Sequence, residues 1–127
     1  MRLLADTQIV YWFFHEPEKL PPAARKYLDA ASAVYVSAAS IWEIAIKRAQ
    51  RRPDFLYDPR VIRRRLIDDG YEELAVLGRH VVEVDSLPPI HKDPFDRILI
   101  AQATVEGITL LTADPVIARY PGPIRKV

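Results

Sequence analysis

Four carboxylates carry the chemistry this chain could do. Asp6 ends the apolar run Leu3-Leu4-Ala5, and Asp114 follows Ile108-Thr109-Leu110-Leu111-Thr112 after a single alanine. Glu43 lies about two turns into an apolar segment behind Val34-Tyr35-Val36, and Asp96 falls in the first turn of a segment opened by Asp93-Pro94. Read as parallel strands, the apolar runs share one carboxyl edge, and that edge receives Asp6, Glu43 and Asp114 from three elements. The segment of Asp96 feeds run 108–112 from the other side, so its start reaches the same edge. Carboxylates crowded this way repel, burial penalises them further, and a cation is the usual remedy. Oxygen donors without cysteine or paired histidine suit a hard ion, Mg²⁺ or Mn²⁺, better than zinc. Such an ion suits phosphodiester hydrolysis, in which a water is activated and charge on phosphorus and the leaving oxygen is neutralised.

Each acid also has an ordinary reading. Asp6 and Asp114 are placed to cap the segments after them, and Glu43 fits a half-exposed helix position. Asp93 and Asp96 match a cap and third-residue pair around Pro94, so Asp93 is read mainly as the cap and Asp96 as the functional group.

The elements that must position these acids are short. Residues 1–5, 34–36 and 108–112 read as strands, with shorter strands expected at 74–76 and 123–127. Helices are expected at 9–14, 23–31, from Ser37 through Ala49, from Asp58-Pro59 to Gly70, at 78–85, from Asp93-Pro94 to Gly107, and briefly after Asp114-Pro115. Short strands alternating with helices imply parallel pairing, because parallel neighbours need a crossover. The expected fold class is α/β, a three-layer α/β/α sandwich with a mainly parallel sheet of about four or five strands.

Composition narrows the field. The chain has 127 residues, half of them hydrophobic and 28% charged, which fits one ordinary globular domain over residues 1–127 and excludes disorder. There is no cysteine, so disulfide scaffolds, zinc fingers and thiol nucleophiles are excluded, and a reducing cytoplasm is the expected compartment. The apolar run Ile9–Phe14 is too short to span a bilayer, and no targeting segment is expected. No Gly-rich phosphate loop or Ser-triad signature occurs. A D-x-D phosphatase is disfavoured because Asp6-Thr7-Gln8 lacks the second acid, and a phospho-accepting receiver domain lacks its acidic pair and late lysine.

Four segments together are recognisable. Leu3–Thr7, Val36–Ala45 with its Ser-Ile-Trp-Glu core, His91-Lys92-Asp93-Pro94-Phe95-Asp96-Arg97 and Leu110-Leu111-Thr112-Ala113-Asp114 resemble the PIN-domain ribonucleases, and most of all the VapC toxins of type II toxin–antitoxin systems. The likeness runs along nearly the whole chain and is most specific between His91 and Ala103. It implies a PIN-like sandwich and a Mg²⁺- or Mn²⁺-dependent endoribonuclease acting on RNA. It also implies a homodimer and a hetero-oligomer with a VapB-type antitoxin. The family's four acids fall on Asp6, Glu43, Asp96 and Asp114. Asp6 and Asp96 would be the principal metal ligands, Asp114 a ligand directly or through water, and Glu43 a holder of metal or of the attacking water. Thr112 would be a supporting hydroxyl, with Asp93 beside it in a supporting place. Gln8 stands where many members carry histidine. The rival reading is a catalytically inactive PIN-like module that binds RNA or an antitoxin.

Net charge is only +1, but it is uneven. Eight of the basic residues fall between Lys47 and Arg65 against Asp54 and Asp58, a local +6. Arg48, Arg51, Arg63 and Arg64 are therefore candidates for an RNA-binding rim, the alternative being a solvated helix face paired with nearby acids. Tyr11, Trp12, Phe13 and Phe14 are expected to be mostly buried, with one or two left to line a partner groove. His15, His80 and His91 are expected at the surface or behind a ligand rather than as ligands.

Overall fold

A computed structural model describes every residue from Met1 to Val127. The strands are β1 (Arg2–Ala5), β2 (Ala33–Ser37), β3 (Glu72–Leu74), β4 (Thr109–Thr112) and β5 (Ile124–Lys126). The helices are α1 (Thr7–His15), α2 (Pro22–Ala30), α3 (Ala38–Ala49), α4 (Pro59–Asp68), α5 (Gly78–Glu83) and α6 (Pro94–Glu106). The sheet runs β3-β2-β1-β4-β5 with every pair parallel, so the first strand of the chain is its centre.

Alternation along β1 separates the two faces of the sheet. Leu3 and Ala5 join Val36 and Leu111 in one apolar cluster, which α1 to α4 close with residues such as Ile9, Leu28, Ile44 and Ile62. Leu4 points the other way and joins Leu110, Leu99, Ile100 and Ala103 beneath α6. This is the expected three-layer α/β/α sandwich.

Local chemistry sets most boundaries. Asp6, Ser37, Asp58 and Asp93 each cap a helix by accepting a backbone N–H from Ile9, Ala39, Arg60 and Phe95 respectively, as such residues do at helix starts. Gly107 ends α6 at φ 67°, the left-handed conformation that glycine adopts without penalty.

Three expectations need correction. The strand placed at 74–76 is Glu72–Leu74, an edge strand defined by pairing with Tyr35–Ser37; its two glutamates lie outside the core, so it never reads as an apolar run. Asp114-Pro115 opens a turn and then a three-residue 3-10 helix, Ile117–Arg119, because the chain returns within a few residues to β5. Of the four α1 aromatics only Tyr11 is fully buried; Trp12, Phe13 and Phe14 are half-buried against the core, and the exposed aromatics are Trp42 on α3 and Tyr57.

Candidate active site

The chain visits β2 and β3 on one side of β1 and then crosses to β4 on the other. The order therefore reverses between β1 and β4, the place where parallel sheets form a crevice beyond their strand ends. A cavity of about 310 Å³ lies at this carboxyl edge. Its wall includes all four predicted acids, Asp6, Glu43, Asp96 and Asp114, and also Asp93.

Asp6 is nearly enclosed and both its oxygens are engaged. Oδ1 accepts the Ile9 N–H at 2.8 Å, and Oδ2 accepts the Thr112 hydroxyl at 2.5 Å. The same hydroxyl accepts the Asp114 N–H at 3.0 Å, and Asp114 Oδ1 accepts from Val116 N at 2.8 Å. Thr112, fully buried, thus ties the ends of β1 and β4 together. A second tie, Thr7 Oγ1 to Ser40 Oγ at 2.9 Å, joins the first turns of α1 and α3 behind the pocket.

The electrostatics report crowding. Burial pushes the Asp6 carboxyl up from 3.8 to about 6, Glu43 and Asp114 push the same way, and the hydrogen bonds from Thr112 and Ile9 pull back. Burial pushes Asp96 further, to about 8, with Asp93, Glu43, Asp6 and Asp114 all adding repulsion. Five acids from four parts of the chain are therefore crowded together. Glu43 is buried; its Oε2 meets Lys47 Nζ at 2.7 Å, while its Oε1 is enclosed without any hydrogen-bond partner. A buried carboxylate oxygen without a partner is costly, and a cation is one group chemically suited to it.

His91 is half-buried on the same wall and sits 2.9 Å from Asp96 Oδ2 through Nε2. Its Nδ1 accepts the Asp93 N–H at 3.4 Å, which assigns the ring proton to Nε2. His91, Asp93 and Asp96 offer one ligand atom each within 4.8 Å of one another. A strap holds this arm. Arg97 donates to the backbone oxygens of Pro88, Val84 and Leu87 and to the Tyr120 hydroxyl, which accepts the His91 N–H at 2.6 Å.

The remaining sequence candidates divide. Thr112 and Asp93 are at the site; Asp93 both caps α6 and lines the cavity. The basic candidates lie outside the cavity wall. Arg63 makes a two-pronged contact with Glu73, Nε at 2.6 Å and Nη2 at 3.2 Å. Arg48 pairs with Asp58 at 3.5 Å, while Arg51 and Arg64 are exposed. Arg63 and Arg64 line a separate open hollow along α4. Lys47 is the basic residue that enters the acidic cavity, and the sequence reading left it within the general basic run; its spacing of four from Glu43 on one helix was the available signal. Of the histidines, His15 stacks on Tyr57 at 3.5 Å, and His80 corrects the surface expectation. It is fully buried, takes the Leu77 N–H on Nδ1 at 2.9 Å and meets Glu106 through Nε2 at 2.8 Å, an internal clasp between α5 and α6.

This fold and site define a PIN domain, and the family model for that domain matches residues 3–123, so the chain belongs to the PIN domain family. It is 27% identical to Ribonuclease VapC22 of Mycobacterium tuberculosis over 125 residues, 96% of this chain and 95% of that protein. Among solved structures, VapBC2 from Rickettsia felis bound to a promoter DNA fragment superposes with a TM-score of 0.73 at 12% identity, over 99% of this chain and 98% of that one. FitAcB from Neisseria gonorrhoeae superposes with a TM-score of 0.65 at 18% identity, over 91% and 89%. At these identities the superpositions establish the fold. No helix is long and apolar enough to cross a membrane.

Proposed function

We propose that this chain is a metal-dependent endoribonuclease, the toxin of a VapBC-type toxin–antitoxin system, folded as a single domain over residues 1–127. One observation carries the reading: five carboxylates line a single cavity, and one of them, Glu43, keeps a buried oxygen unpaired. A hard divalent ion fits this all-oxygen set. Asp6 and Asp96 are the principal holders, with Asp114 and Glu43 completing the ring, His91 in contact with Asp96, Asp93 capping the helix that carries Asp96, and Thr112 fixing Asp6. Bound there, Mg²⁺ or Mn²⁺ would supply an activated water and neutralise charge on the phosphate. The chain's own contribution is a rigid, shielded cradle, because both Asp6 oxygens and one Asp114 oxygen are already fixed by backbone or hydroxyl donors.

The named relative is a ribonuclease, and the structural neighbours include toxin–antitoxin complexes. These support RNA as the substrate and a VapB-type antitoxin as the partner; a homodimer within the complex and action in the cytoplasm are part of the same proposal. Arg48, Arg51, Arg63 and Arg64 supply the outer positive field that leads an RNA backbone towards the pocket.

The test uses purified antitoxin-free protein and a pool of structured RNAs in Mg²⁺ or Mn²⁺, with EDTA and Asp6→Asn controls and mapping of the cut ends. Discrete cuts that vanish in both controls are expected. A folded protein that binds Mn²⁺ but cuts nothing overturns the enzymatic reading and leaves an inactive binding module.

A further inference from the structure

We propose that Lys47 is a catalytic residue of this pocket, one that binds a non-bridging oxygen of the phosphate being cleaved. The inference rests on the ribonuclease reading and adds a residue to it. Lys47 is the one lysine or arginine on the wall of the acidic cavity. Its Nζ lies 2.7 Å from Glu43 Oε2, and its side chain is 23% exposed. The ammonium also sits 4.5 Å from the centre of the Phe55 ring, and Phe55 is buried and lines the same cavity.

An i,i+4 ion pair on an open helix face contributes little, and solvent screens it. This pair is different because of where it lies. One Glu43 oxygen faces the ammonium and the other is enclosed and unpaired, so a cation held by the second oxygen leaves Lys47 beside it on the same carboxylate. An RNA phosphate entering the pocket meets five acids, and one divalent ion does not offset their combined charge. A second positive group beside the metal position is what such an anion requires. An ammonium has three N–H donors; Glu43 takes one, the aromatic ring stabilises the charge, and the rest are free for a phosphate oxygen. A compact charge on a flexible stem can follow the phosphate as it changes shape, whereas a fork of planar donors is suited to a fixed partner.

The test compares wild type, Lys47→Met, which keeps the apolar stem over Phe55, and Lys47→Arg. Three quantities are read: the single-turnover rate on RNA at saturating Mn²⁺, Mn²⁺ affinity by calorimetry, and the salt dependence of binding to a short labelled single-stranded RNA in Ca²⁺. Lys47→Met is expected to slow cleavage about 100-fold and to bind Mn²⁺ at least as tightly as wild type, since a cation competing for Glu43 is gone. Its log–log salt slope should be shallower by about 0.7, the loss of one phosphate contact on a single strand. Lys47→Arg should recover part of the rate. A wild-type rate in Lys47→Met at saturating Mn²⁺ overturns the proposal; if a defect then shows only below saturation, Lys47 is a positioner of Glu43. If wild type cuts no RNA, the ribonuclease reading fails by itself. The salt slope then decides for Lys47: an unchanged slope overturns the phosphate contact, and a shallower one upholds it.

Discussion

Replacing Thr112 with valine keeps the shape of a fully buried side chain and removes one hydroxyl. That hydroxyl donates to Asp6 at 2.5 Å and accepts from Asp114 N at 3.0 Å. Asp6 titrates near 6 rather than 3.8, chiefly because it is buried, and the Thr112 bond is the strongest influence pulling it down. A carboxyl raised on folding favours the protonated native state. The native protein therefore gains most from Asp6 below about pH 4 and loses about 3 kcal/mol as pH climbs past the folded value of about 6. Above that value the Thr112 hydroxyl donates to a charged oxygen, a bond of about 1.5–3 kcal/mol; below it the partner is neutral and the bond is nearer 1 kcal/mol. The orphaned Asp114 N–H contributes the same loss at either pH. Thr112→Val should thus cost about 0.5–2 kcal/mol more at pH 8 than at pH 5. Urea unfolding of both proteins in EDTA at the two pH values measures this. Equal losses at both would mean that the hydroxyl does not hold the ionised Asp6, and the tie between β1 and β4 would be mere packing.

Three further outcomes are expected. Asp96→Asn removes a carboxyl that burial and four neighbouring acids hold at about 8, so calorimetry should show Mn²⁺ binding lost while the metal-free protein unfolds at a higher temperature than wild type at pH 8; equal Mn²⁺ affinity in both proteins would remove Asp96 from the site. Tyr120→Phe deletes the hydroxyl shared by Arg97 and the His91 backbone, which should lower stability by about 1–3 kcal/mol and weaken Mn²⁺ binding; a loss of stability with unchanged metal affinity would separate the strap from the site. Arg63→Ala with Arg64→Ala should weaken RNA binding and flatten its salt dependence, as read by fluorescence anisotropy across a salt series, and an unchanged slope would show that these arginines only decorate α4.

The sheet centre was plain in the sequence because β1 and β4 are buried on both faces and read as unbroken apolar runs. The caps were legible too: Asp58-Pro59 and Asp93-Pro94 carry their own stop-and-start chemistry. Once strand direction was inferred, the four acids followed, since a parallel sheet delivers its carboxyl ends to one side. What escaped is whatever depends on side-chain reach. His91 arrives at Asp96 only because a loop with no apolar period is strapped down by Arg97 and Tyr120. Lys47 looked like one of eight basic residues until the helix turned it inward. Arg63 read equally as an RNA contact or as the partner of a nearby acid, and its bond to Glu73 depends on an edge strand whose position no local pattern announces. His80 hides in the interior because both ring nitrogens find partners there, which no spacing along the chain foretells.

The tie between Asp6 and Thr112 spans 106 positions of the chain. The strand at the middle of the sheet, β1, precedes its neighbour β4 by more than a hundred residues, and until residues 109–112 follow it has nothing on that side. The carboxylate pocket therefore cannot assemble piecemeal on a growing polypeptide; Asp6 has no Thr112 or Asp114 beside it until those distant residues have been added. Closure of so long a loop also slows the final step, because distant contacts must be won against the entropy of the intervening chain. A break or defect anywhere between Asp6 and Thr112 therefore disables the acidic pocket as a whole, because no partial set of strands holds Asp6 and Asp114 together.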